Sequence, residues 1–232
     1  MLETPPILTI QRKFARPDAK KVAKLVGALT GNIADCMGGR GALDPAIKPL
    51  ADSPAGMRAV VGPAFPCQNA PSDQLGAMAA LAHAEAGDVI VAATEGYTGT
   101  AVVGDLMLGM ARNRGIAGLV TDGAVRDLGG IFRVGLPVFC AGVNPDSPAR
   151  TGPGSAGLPV TIGDATVHPG DIVVADSDGV VIVPQALLDK VIEKLAEVRV
   201  AEAEMEAKVD DGLEIPDSWS TLFDSDQVRY ID

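Results

Sequence analysis

The 232-residue chain predicts an α/β domain over residues 17–211, with a lead segment before it (1–16) and a tail after it (212–232). Three observations carry that prediction. Between Gly104 and Asp127, a helix-like run passes into a short apolar strand at Gly115 and Gly118, which tolerate the tight stop. From Leu158 to Pro184, apolar runs are separated by Gly163-Asp164 and Ser177-Asp178-Gly179, turn signals that predict successive hairpins. No stretch is rich enough in linker residues to divide the helices from the hairpins.

In chain order, Ile7–Ile10 reads as a short strand in the lead segment. Pro17-Asp18 opens a helix with Val22, Leu25, Val26 and Leu29 at amphipathic spacing, ended by Gly31-Asn32. Gly38–Gly41 follows as a loop, with Arg40 a weaker candidate for reaching a ligand. Met57–Cys67 is strand-like, and Ser72-Asp73 caps a helix carrying Leu75, Met78, Ala79 and Ala82. Asp88–Ala93 predicts a buried strand, and Thr94–Thr100 a polar connection. The central helix runs from about Asp105 to Arg114, with Leu106, Met110 and Ala111 on one face, before a strand at Ile116–Val120. Ile131–Pro137 completes the next helix and turn, and Val138–Ala141 is again strand-like.

Asn144–Gly157 predicts the longest irregular segment. It contains a literal GxGxxG, Gly152 to Gly157, but Pro153 sits inside it and Leu158-Pro159-Val160-Thr161 follows where a helix should start. A dinucleotide site is therefore rejected. A long C-terminal helix spans about Ala186 to Val209, with Leu188, Val191, Ile192, Leu195 and Val198 facing a core. Its acidic second half lacks that stripe and is expected to project, ahead of a tail bearing Trp219 and Phe223.

Composition narrows the function. A net charge of −11 and 3% aromatic residues argue against nucleic acid, which needs concentrated cations and stacking surfaces. No apolar run approaches the ~18 residues of a membrane span. Cys36, Cys67 and Cys140 are far apart and odd in number, so neither a disulfide framework nor a zinc ribbon is expected. His83 and His168 belong to no ligand cluster. Met1–Pro6 lacks a basic region followed by an apolar core, so no secretory signal is expected and the expected location is cytoplasmic.

The candidate chemistry lies at the two ends of the central stretch. Gly104-Asp105 opens a helix, whose unpaired N–H groups and dipole favour an anion. Arg126-Asp127 follows a strand, where α/β sheets bring polar groups into a crevice. If the two ends meet, one pocket gains an anion cradle, a guanidinium and two carboxylates. The plainer alternative is a helix-start aspartate and an unrelated surface turn with a local ion pair.

Asp105, twenty intervening residues and then Arg126-Asp127 resemble the signature of the RraA-like family, which includes metal-dependent 4-hydroxy-4-methyl-2-oxoglutarate and 4-carboxy-4-hydroxy-2-oxoadipate aldolases. Gly38-Gly39-Arg40-Gly41 with Ile47-Lys48-Pro49-Leu50, Ala86–Val91, Thr121–Asp127 and Pro169–Asp176 match as well, and the likeness spans roughly Val22 to Met205. The resemblance implies a three-layer swivelling β/β/α domain, assembled as a trimer or a dimer of trimers with shared active sites. It implies a class II type pyruvate aldolase with side oxaloacetate decarboxylase activity, acting on a small 2-oxo acid with a divalent cation, Mg²⁺ first and Mn²⁺ second. By position, Asp127 and Asp105 would hold the metal, and Arg126 would bind the 2-oxo oxygen. Gly104, Asp105, Leu106 and Met107 would hold the substrate carboxylate, and a glutamate of the acidic helix end would enter from a neighbouring subunit, Glu202 being chosen over Glu204 and Glu206 for its spacing from Arg199. The family also implies an alternative: a non-catalytic regulator that binds a bacterial endoribonuclease.

Overall fold

In the computed structural model, which describes residues 5–231, the chain enters on strand β1 (Leu8–Ile10). Two short helices follow, α1 (Ala19–Val22) and α2 (Thr30–Cys36), then β2 (Lys48–Pro49) and the long β3 (Val60–Asn69). Next come α3 (Leu75–His83), β4 (Val89–Ala93), β5 (Ala101–Val103), α4 (Asp105–Asn113), β6 (Gly118–Thr121) and β7 (Ala124–Val125). Helix α5 (Leu128–Val134) leads to β8 (Val138–Cys140), β9 (Gly142–Val143) and β10 (Gly154–Ala156). Two hairpins, β11 (Val160–Ile162) with β12 (Ala165–Val167) and β13 (Ile172–Asp176) with β14 (Gly179–Val183), precede α6 (Leu188–Asp210) and α7 (Asp217–Phe223). The sequence readings that touch residues 1–4 or 232 lie outside the described residues.

Strand β3 is the hub. Its second half pairs in parallel with β4 and antiparallel with β10, while its first half pairs antiparallel with β13. The main sheet runs β1-β10-β3-β4-β6-β8-β2, with β13-β14 attached through β3. Side-chain alternation on β4 divides two cores. Ile90 and Ala92 join the layer under α3, α4 and α5, whereas Val89, Val91 and Ala93 face the β11–β14 side. The β13-β14 hairpin repeats the device: Val173 and Ile182 join that second core, and Ile172, Val174, Val181 and Val183 pack with α1, α2 and α6. Strands covered on both faces read as continuous apolar runs, which is why β4 shows no polar alternation. The result is a layered α/β architecture, closed by the long C-terminal helix, as the resemblance implies. Among the described residues, no helix is long and apolar enough to cross a membrane.

Several local expectations are corrected. The helix opened by Asp18, whose carboxylate caps Lys20 N–H, ends at Val22; a 3₁₀ turn follows, and Val26 and Leu29 are exposed. Gly31-Asn32 lies inside α2 instead of ending a helix. On α3 the buried face is Gly76, Ala77, Ala79 and Ala80, because small residues let the helix sit close on β3. Gly76 itself admits no Cβ, which would lie 2.1 Å from the Gln68 carbonyl oxygen. On α4, Leu108 and Ala111 turn inward while Leu106 and Met110 are exposed. The Gly152–Gly157 segment contributes β10, a strand between β1 and β3 that no apolar pattern announced. Both predicted hairpins form at Gly163-Asp164 and at Ser177-Asp178.

Candidate active site

Helix α4 begins where β5 ends, with Gly104 as its N-cap. Glycine offers no capping side chain, and the first helical bond runs from Leu108 N–H to the Gly104 carbonyl at 3.1 Å. The N–H groups of Asp105, Leu106 and Met107 therefore have no acceptor within the helix. They form the positive end of its dipole.

The second half of the site arrives by register. Strand β7 runs parallel to β5, pairing Ala124 with Ala101 and Val125 with Val103. Arg126 and Asp127 consequently emerge beside Gly104, and Arg126 N–H donates to the Val103 carbonyl at 3.1 Å. This approach requires glycine: a Cβ on residue 104 would lie 2.6 Å from Asp127 Oδ2 and 3.3 Å from Arg126 Cγ. Asp127 adopts φ 66°, a left-handed conformation that Asp tolerates better than most residues. Its carbonyl starts α5 by accepting from Gly130 and Ile131 N–H at 2.9 and 3.0 Å. Gly130 in turn leaves room for Asp105, whose Oδ2 would stand 1.9 Å from any Cβ there.

These groups line one cavity of ≈ 350 Å³, together with Gln74, Met78 and Leu81 from α3 and with Pro148 and Arg150 from the β9–β10 loop. Arg126 Nε is 3.4 Å from Asp127 Oδ2, and its Nη1 donates to Ser147 Oγ. Arg133 Nη2 stands 3.9 Å from Asp105 Oδ2. The structure thus brings together Gly104, Asp105, Leu106, Met107, Arg126 and Asp127. It does not bring Glu202 to this cavity within one chain; Glu202 sits on α6, where the Asn32 amide donates to its carboxylate. Gln74, Ser147 and Arg150 escaped the sequence reading. The available signal was an arginine in the longest irregular loop, since such loops carry function more often than packing.

Among the described residues, no group of three or more His, Cys, Asp and Glu is arranged to hold a metal. Two carboxylates, Asp105 and Asp127, do line the same cavity, and the bare Gly104 leaves open the space beside the second. Mg²⁺ prefers oxygen donors and keeps several waters, so one or two carboxylates suit it better than a full protein cage. The donor set fits hydrated Mg²⁺ or Mn²⁺. Two arginines balance the two carboxylates, so a bound dication would make the cavity net positive.

Fold and cavity together define an α/β protein in which a helix start with unpaired N–H groups faces an Arg-Asp pair. The chain belongs to the RraA-like family (Aldolase/RraA), whose sequence profile matches residues 30–182. It is 35% identical over 181 residues to a protein of Halalkalibacterium halodurans named "Putative 4-hydroxy-4-methyl-2-oxoglutarate aldolase", covering 78% of this chain and 84% of that one. Among solved structures, an uncharacterized protein from Pseudomonas syringae pv. tomato superposes with a TM-score of 0.73 at 25% identity, over 86% of this chain and 96% of that one. RraAS2 of Streptomyces coelicolor, described as an unusual member of the RNase ES inhibitor RraA protein family, gives 0.71 at 27% identity, over 83% and 100%.

Proposed function

We propose that this chain is a divalent-metal-dependent carbon–carbon lyase that cleaves a 4-hydroxy-2-oxo acid to pyruvate and decarboxylates oxaloacetate as a side reaction. The observation that carries the reading is the meeting of Arg126, Asp127 and the α4 N-terminus at one cavity, a meeting that depends on Gly104. The name of the Halalkalibacterium relative supports the substrate class.

In retro-aldol cleavage the C4 hydroxyl gives its proton to water as the C4 carbonyl forms, the C3–C4 bond breaks with its electrons passing to the 2-oxo group as an enolate, and the enolate takes a proton at C3 to give pyruvate. Oxaloacetate breaks the equivalent bond, releases CO₂ and leaves the same pyruvate enolate, which is then protonated at C3. In this reading the N–H groups of Leu106 and Met107 hold the C1 carboxylate at the positive end of α4. Arg126 donates to the 2-oxo oxygen, and its donors gain strength as negative charge develops there. Removing one such oxyanion donor elsewhere costs roughly 3–4 kcal/mol. Asp127, assisted by Asp105, would hold the cation. Bound there, the ion supplies Lewis-acid polarisation of the substrate oxygens. Among the described residues no lysine lines the cavity, and the scheme uses no Schiff base.

The test is pyruvate release from oxaloacetate and from 4-hydroxy-4-methyl-2-oxoglutarate, with and without EDTA. Metal-dependent release from either supports the lyase; no metal-dependent release from any substrate tried overturns it. The rival reading, a regulator that binds a bacterial endoribonuclease, draws support from the likeness to RraAS2. Stoichiometric capture of an endoribonuclease together with no lyase activity would favour it. A trimer with shared sites is part of the proposal, and the exposed apolar Leu106 and Met110 at the cavity are consistent with a covering neighbour.

A further inference from the structure

The cavity holds a second guanidinium that the scheme above leaves unused. Arg150 lies in the β9–β10 loop and is exposed, yet the loop on both sides of it is pinned to the start of α3. Ala149 N–H donates to the Ser72 carbonyl at 2.7 Å, and Gln74 N–H donates back to the Ala149 carbonyl at 3.1 Å. Beyond it, Thr151 and Gly152 N–H donate to Asp73 Oδ2 at 2.7 and 3.0 Å. The side chain is held as well. With the Gln74 amide oxygen facing the donor, it accepts from Arg150 Nε at 2.8 Å while the amide nitrogen donates to the Val102 carbonyl at 3.2 Å. Gln74 is buried, so this support is itself fixed. Only Nε is engaged; among the described residues Arg150 makes no salt bridge, and its terminal amino groups bond no protein atom. An exposed arginine with a prearranged backbone, a buried orienting partner and no salt-bridge partner among the described residues is built to meet an anion from outside.

We infer that Arg150, oriented by Gln74, binds the distal carboxylate of a dicarboxylic 2-oxo acid whose C1 end sits at α4 and Arg126. Met78, Leu81 and Met107 line the cavity as well and supply an apolar wall suited to a carbon chain carrying an anion at each end. This rests on the proposed function for the C1 end and extends it to substrate choice. A monocarboxylic 2-oxo acid would leave the guanidinium without its partner.

The test compares binding of 2-oxoglutarate and 2-oxopentanoate by calorimetry with Mg²⁺ present; the two differ by a carboxylate against a methyl at C5. A charge-assisted contact predicts that the wild type favours 2-oxoglutarate by roughly tenfold to a hundredfold. In Arg150→Ala that ratio falls to about one, and Arg150→Lys keeps part of it because a point charge remains without the fork. A wild-type ratio near one, or a ratio retained in Arg150→Ala, overturns the assignment. If the ratios behave as expected but no 4-hydroxy-2-oxo diacid yields pyruvate, the lyase reading fails and the carboxylate anchor stands. If neither compound binds, both fail.

Discussion

Replacing Gly104 by alanine separates the site from the fold more cleanly than any catalytic-residue change. Its backbone, at φ −131° and ψ −177°, is extended and open to any residue, so the added methyl strains no dihedral. The methyl meets Asp127 Oδ2 at 2.6 Å, and ordinary contact begins at 3.4 Å, so the carboxylate must retreat by about 0.8 Å. A carboxylate end can move; the stability cost is the loss of a better N-cap, about 1 kcal/mol, or roughly 2–4 °C in Tm. Displacement on that scale within a reacting constellation costs on the order of a hundredfold in kcat/KM. Mn²⁺ affinity by calorimetry should weaken in parallel. Gly109→Ala on the same helix is the control: its methyl would meet only Val134 Cγ2, at 3.7 Å, and should be neutral or slightly stabilising. If Gly104→Ala keeps metal affinity and kcat/KM within about twofold of wild type, Asp127 is not part of the working site.

The other predictions follow the same geometry. Arg126→Lys should lose nearly as much kcat as Arg126→Ala, on the order of a hundredfold or more, because lysine lacks the planar fork; near-normal kcat/KM in the alanine variant would remove the residue from the mechanism. Burial pushes the Cys67 thiol up to about 12 and the Cys140 thiol up to about 11, so native protein at pH 8 should leave both unmodified by a disulfide reagent until denatured. Burial opposes ionisation of Asp73, but bonds from Leu75, Thr151 and Gly152 N–H outweigh it and hold its carboxyl below the usual range. Its contribution is thus complete above the unfolded value near ~4 and is lost as pH falls through the lower folded value, so the stability gap between wild type and Asp73→Asn should shrink on acidification; a gap independent of pH would exclude this linkage. For the shared site, Asp127→Ala and Glu202→Ala should each be nearly inactive, and co-refolded mixed trimers should regain about a third of their sites, since one interface in a cyclic trimer pairs both intact residues. Mixed trimers that stay inactive would rule that arrangement out.

The elements legible in the sequence were those whose signal is local. The β11-β12 and β13-β14 hairpins carry their turn residues at the turn, and α6 carries its stripe in order, with Leu188, Val191 and Leu195 all buried. The short strands β7, β9 and β10 were not legible, because they owe their existence to partners far away in the chain. Gly154–Ala156 has little apolar character of its own; it is a strand because β1 and β3 flank it. Helix faces failed for a related reason. On α3 and α4 the large residues Met78, Leu106 and Met110 suggest the inward side, yet α3 turns its small residues to the sheet and α4 turns Leu108 and Ala111 inward.

That misreading bears on the site itself. Had those three side chains turned into the core, the cavity would have lost much of its apolar lining. Here Met78, Leu106 and Met110 are partly or largely exposed and line the cavity that also contains Arg126, Arg150, Asp105 and Asp127. Spacing could bring Asp105 and Arg126-Asp127 together only through the β5–β7 register, a parallel pairing across the whole of α4 and β6. Arg150 depends on a longer chain of support still, from Asp73 and Gln74 at the start of α3, 76 residues earlier in the case of Gln74. A motif read along the chain finds the groups proposed to meet the reacting end of the substrate, because one β–α–β passage supplies them. The groups proposed to meet its far end come from separate loops, and folding alone assembles them.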